Sequence, residues 1–122
     1  MLKLKTKWFN KWAKKNDVTD YSLLKTIENI SNNLGTVELG EGLYKVRMPR
    51  LGQGKSGGFR TIVVFKEADI AIFIYAFSKN EKDNLDKEEL KYFKKFAKDL
   101  LNINRHEFIR LEKLGDFINL ME

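Results

Sequence analysis

The basic residues of the central third are spaced for work on an anion. The stretch "GLYKVRMPRLGQGKSGGFRTIVVFK" carries Lys45, Arg47, Arg50, Lys55, Arg60 and Lys66, and no acid falls between Leu43 and Lys66. An arginine fork can grip two oxygens of one phosphate. Gly52, Gly54, Gly57 and Gly58 let the chain take positive φ and bring backbone amides close to a bound group. Lys55 and Ser56 sit among them. On the glycines alone the stretch reads as a hairpin connection with solvated charges. With the cations added it reads equally as a phosphate-binding surface.

The phosphate is not expected to belong to a nucleotide cofactor. A nucleotide-binding loop needs G-x-x-x-x-G-K-[ST] between a strand and a helix. Here "GKS" ends at Ser56, so the first glycine would fall at position 49, which is Pro49. A β run follows Gly58 where a helix should begin. Arg60 opens that run, "FRTIVVF", and "IAIFIYAF" follows after the short polar connection "KEAD". The two read as a hairpin. The start of one strand then lies near the end of the other, which puts Arg60 and Lys79 on one edge, beside the loop carrying Lys55.

Absent chemistry narrows the reading. The chain has no cysteine and one histidine, His106. A thiolate nucleophile, a Cys-ligated zinc and a His–His nuclease pair are excluded. Glu81, Asp83 and Asp86 in "NEKDNLD" do not have the spacing of a calcium loop, and no metal is expected. Any cleavage must rest on cationic and polar groups. RNA permits this, because its 2′-OH is an internal nucleophile and the catalyst supplies orientation and charge stabilisation. A lysine depressed by neighbouring cations could shuttle a proton.

The elements that position these residues follow from the periodicity of a 122-residue chain, which fits one domain, residues 1–122. Residues 5–17 space Trp8, Phe9 and Trp12 as one helical face. "TDYSLLKTIENISNNLG" predicts a second helix capped at Thr19 or Asp20, with Gly35 at its C-terminal end. "GLYKVRMPR" alternates Leu43, Lys45 and Arg47 against Tyr44, Val46 and Met48, a half-buried strand ended by Pro49. Tyr75 falls within an apolar run and reads as core. "DKEELKYFKKFAKDLLNI" predicts a helix with Asp86 as cap and Glu89 at its third position. The tail, residues 104–122, reads as a short helix ending near Gly115, then Phe117, Ile118 and Leu120 in need of cover. The expected fold is α+β: two N-terminal helices on one face of a small, mostly antiparallel sheet of three to four strands, then a C-terminal helix.

Net charge is +6, unevenly placed. Residues 1–80 hold fourteen Lys/Arg against seven Asp/Glu, and residues 81–122 nine against ten. Such a field attracts polyanions. The longest apolar runs are too short to span a bilayer, and the basic N-terminus lacks the apolar core of a secretory signal.

"GLYKVRMPRLGQGKSGGFRTIVVF" and "FIYAFSKNEKDNLDKEELKYFKKFAKDLL" resemble the RelE/HigB-like toxins of bacterial type II toxin–antitoxin systems, over residues 8–103. The "GKSGGFR" and "FSKNEKDNL" blocks, at their spacing, carry the resemblance. It implies a cytoplasmic RelE-type toxin, neutralised by a cognate antitoxin, that cleaves mRNA in the ribosomal A site without a metal or cofactor. It assigns catalytic roles to Lys55, Arg60 and Lys79, with Arg60 on the scissile phosphate. It places Lys45, Arg47, Arg50, Ser56 and Asn80 on flanking RNA. The tyrosine that some members carry near the C-terminus has no counterpart in "NLD". The other functions open at this point are a gyrase inhibitor of the ParE branch and a non-catalytic binding module.

Overall fold

The computed structural model describes residues 1–48 and 58–120. The chain runs β1 (Leu2–Thr6), α1 (Lys7–Lys15), α2 (Asp20–Ser31), β2 (Thr36–Gly40), β3 (Leu43–Met48), β4 (Phe59–Lys66), β5 (Ile70–Ser78), α3 (Lys87–Leu101), α4 (Arg105–Lys113) and β6 (Phe117–Asn119). The fold is α+β with helices packed on a sheet, as expected, but larger. Its six strands lie in the order β2-β3-β4-β5-β1-β6. All pairs are antiparallel except β1 with β5.

Helices cover both faces rather than one. Phe9 and Ala13 of α1 and Leu23, Ile27 and Ile30 of α2 pack with Val46, Met48, Phe59, Val63 and Phe73. Ala97 and Leu100 of α3 and Phe108 of α4 pack on the other face with Leu43, Ile62, Val64 and Ile72. A strand covered on both sides needs apolar residues at successive positions. That is why "TIVVF" and "IAIFI" are continuous rather than alternating.

Three strands correct the expected number. β1 runs into the first two residues of the segment read as a helix, residues 5–17; Thr6 ends the strand and caps α1, its hydroxyl accepting the Phe9 N–H at 3.1 Å. β2 forms one edge of the sheet. β6 supplies the cover the tail required, pairing Phe117 with Thr6 and burying Phe117 and Leu120. Asn33, at φ +55°, takes the left-handed position after α2 that the sequence suggested for Gly35, which instead leads into β2. The β4–β5 hairpin and the cap on α3 are as expected: Asp86 accepts the Glu89 N–H at 2.8 Å, and Glu89 accepts the Asp86 N–H at 3.0 Å. Among the described residues, no helix is long and apolar enough to cross a membrane.

Candidate nucleic-acid interface

The register of β3, β4 and β5 builds one row of the site. Arg47 lies directly across from Arg60, and Arg60 directly across from Phe77. The Arg47 N–H donates to the Gly35 carbonyl on the β2 side at 2.9 Å. Arg47 and Arg60 are therefore a non-hydrogen-bonded pair, the kind whose side chains stand closest, with Cα atoms ~4.5 Å apart. Like charges directly opposed across a ladder are destabilising. Lys45 follows two positions along β3, on the same face as Arg47. It is half-buried, and its Nζ donates to Asn84 Oδ1.

Arg60 is half-buried, which limits the positions its fork can take, and its Nη1 donates to the Phe59 carbonyl at 3.4 Å. Lys79 and Asn80 are exposed just past β5. The Lys79 N–H donates to the Gly58 carbonyl at 3.3 Å, and the Asn80 N–H to Ser78 Oγ at 3.2 Å. The hairpin thus brings the Lys79 backbone to the end of the ladder that holds Arg60, as its sequence implied. Arg50, Lys55 and Ser56 lie outside the described residues, and so does their convergence with Arg60 and Lys79. His106 is exposed on α4, away from the row.

Two residues at this end carry more than their sequence context suggested. Lys82 looked like one charge in a polar turn. Its Nζ stands 5.2 Å from the ring centroids of both Tyr75 and Phe77 and bonds both Glu89 oxygens at 2.7 and 2.6 Å. Burial lowers the affinity of Lys82 for its proton, and the hydrogen bonds to Glu89 and Tyr75 outweigh that, so its pKa is raised. The bond from Lys82 lowers the pKa of Glu89 against the opposing effect of burial, helped by the Asp86 N–H. Tyr75, read as core, is half-buried and donates its hydroxyl to Glu89 at 3.3 Å. The cause is a bulge in β5. Ile62 pairs with Tyr75 but Val63 pairs with Phe73, so Ile74 is the extra residue. Ile74 and Tyr75 then pack towards the same face. No alternation rule reveals a bulge. The spacing from Lys82 to Glu89 at N3 of a capped helix was the one available hint of the ion pair.

The arrangement is a cationic sheet end beside aromatic rings, suited to a polyanion. Among the described residues there is no cluster of three or more His, Asp or Glu that could hold a metal ion.

The chain belongs to the RelE family: residues 1–120 match the family described as the RelE toxin of the RelE / RelB toxin-antitoxin system. No curated protein matches the chain.

Proposed function

We propose that the protein is the toxin of a type II toxin–antitoxin pair and an endoribonuclease that cuts mRNA on the ribosome, in the A site, until a cognate antitoxin neutralises it. Family membership supports the class. The observation that carries the chemistry is the register of Arg47 with Arg60, two basic residues at directly opposed positions at a sheet end. A phosphate between them would convert repulsion into two charge-assisted contacts.

The reaction follows from the substrate. The 2′-OH attacks the adjacent phosphorus as it loses its proton. The bond to the 5′-oxygen breaks, that oxygen takes up a proton, and a 2′,3′-cyclic phosphate remains. The nucleophile belongs to RNA, so the step needs no metal-activated water. In this reading the Arg60 fork holds the scissile phosphate, and Lys55 and Lys79 stabilise the charge that builds on the phosphorane. Arg47, Arg50 and Lys45 hold flanking backbone, with Ser56 and Asn80 as polar contacts.

The test is tightly controlled expression with mapping of mRNA 5′ ends. New ends within translated codons, lost with Arg60→Ala, are expected. Growth arrest with intact mRNA and damaged DNA would instead assign gyrase inhibition. Neither toxicity nor antitoxin binding would leave a binding module.

A further inference from the structure

β1 pairs with β5 from Ile70 to Phe73 and goes no further. Past that point the chain of β1 has become α1. A recess of about 430 Å3 opens between this helix, β5 and the turn that follows β5. Trp8, Trp12, Lys15 and Asn16 line it from α1, Phe77 from β5 and Glu81 from the turn. Phe77 lies directly across the ladder from Arg60. The recess therefore begins one strand spacing, ~4.8 Å, from the cation row.

Its aromatic wall is held in place. The Trp12 ring centroid is 5.2 Å from that of Phe9 and 4.9 Å from that of Phe59. The Asn16 side-chain amide donates to the Trp12 carbonyl at 2.9 Å. Trp8 rests against Tyr75 at 5.0 Å. Every nucleobase has a π-face that stacks on such rings. The charged groups are uncommitted. Among the described residues, the Lys15 and Glu81 side chains have no hydrogen-bond or ion-pair partner, although both line the recess. Lys82, next to Glu81 in the chain, is bound to Glu89 instead.

Glu81 is out of keeping with its surroundings. A carboxylate beside a row of cations weakens their hold on a phosphate chain, unless it meets a donor on the same ligand. Nucleobases supply one. Adenine, cytosine and guanine each carry an exocyclic amino group, from which a carboxylate accepts. Uracil offers only its N3–H, flanked by two carbonyl oxygens. A carboxylate facing that edge sets oxygen against oxygen. Lys15, from α1, can donate to a ring nitrogen or carbonyl oxygen of the same base.

We propose that this recess is a nucleobase subsite and that Glu81 is its specificity-determining residue. A base next to the phosphate on Arg60 stacks on the tryptophans, and Glu81 selects adenine, cytosine or guanine over uracil through the amino group. The proposal rests on RNA being the ligand of the cation row, and it adds a residue that the phosphate contacts do not involve.

Oligonucleotides that cannot be cut test it. Pentamers of 2′-O-methyl RNA with the sequence UUXUU, where X is A, C, G or U, lack the attacking hydroxyl. Affinity is read from the anisotropy of a fluorescein label. Unlabelled copies are followed by tryptophan fluorescence, because the chain's two tryptophans both line the recess. The pentamers with A, C or G are expected to bind about tenfold more tightly than UUUUU and to quench the tryptophans. Glu81→Gln should erase that preference and bind UUUUU more tightly than the parent does, because a charge that repels phosphate is gone. Glu81 is exposed, so the melting temperature should stay near that of the parent. Equal binding of all four pentamers by the parent, no binding, binding without quenching, or a preference that survives Glu81→Gln would overturn the subsite. Mapped mRNA ends keep the two readings apart. Cuts within translated codons together with equal binding of the pentamers would overturn the subsite alone. A Glu81-dependent preference with intact mRNA would uphold the subsite and overturn the nuclease.

Discussion

Leu43 and Arg47 sit on the same face of one strand and have opposite surroundings. Leu43, Val64 and Ile72 form a row across β3, β4 and β5, each fully buried on the face that α3 covers. Four residues along β3, the row becomes Arg47, Arg60 and Phe77, and Arg47 is exposed. The first row is what folding requires: apolar area removed from water at ~25 cal/mol per Å2. The second sets two like charges at directly opposed positions, which apolar burial does not explain. Local conflicts of this kind concentrate where a protein does its work. The contrast separates the part of the sheet that makes the fold from the part proposed to meet RNA.

Breaking the apolar row should give the largest change in stability. Leu43→Ala should cost ~2–5 kcal/mol, read from urea unfolding, because a fully buried leucine leaves a cavity. RNA cleavage per folded molecule should be preserved. Arg60→Lys keeps the charge and loses the fork. If the fork holds the scissile phosphate, cleavage should fall by about 10- to 100-fold, the worth of one to two charge-assisted hydrogen bonds, with little change in melting temperature.

The Lys82–Glu89 pair sharpens the boundary between the two rows and gives a smaller, pH-dependent effect. The Glu89 pKa is lowered in the folded state. Its contribution is therefore present above the ordinary glutamate value, ~4.3, and is lost as pH falls through the folded value. Lys82 is raised, so its contribution is lost as pH rises through its folded value, above the ordinary lysine range. The pair is partly exposed, 32% and 26%, so its worth is below ~1 kcal/mol. Glu89→Gln should flatten the fall in stability below pH ~4.3, with the difference from the parent vanishing in strong acid. Smallest in stability is Arg47→Gln. It should leave the unfolding free energy unchanged or raise it by ~0.2–1 kcal/mol through lost repulsion. If Arg47 holds RNA backbone, the log–log slope of RNA affinity against salt should fall by about one.

Much of this was legible in the chain because the signals are local. The β4–β5 hairpin is written in two apolar runs and a polar turn, and the α3 cap in Asp86 and Glu89. The pairing of Arg47 with Arg60 follows only once β3 and β4 are in register, but its ingredients were visible. What escaped depends on distant partners. "LKLKT" is a short, lysine-rich run that becomes a strand because β5 and β6 flank it. Lys5 is buried there because Asp20 meets its Nζ at 2.7 Å. β6 has only three residues and exists through its pairing with β1. Tyr75 and Lys82 were hidden by a bulge and by a turn, neither of which leaves a periodic trace.

The most direct test of the division between the two rows combines two readings on one protein, the Arg47→Gln, Arg60→Gln double variant. Equilibrium unfolding and cleavage of an mRNA on translating ribosomes would be measured side by side. A free energy no lower than that of the parent, with cleavage reduced by about 100-fold or more, is the predicted result. A loss of stability as large as that of Leu43→Ala, with cleavage per folded molecule unchanged, would contradict it.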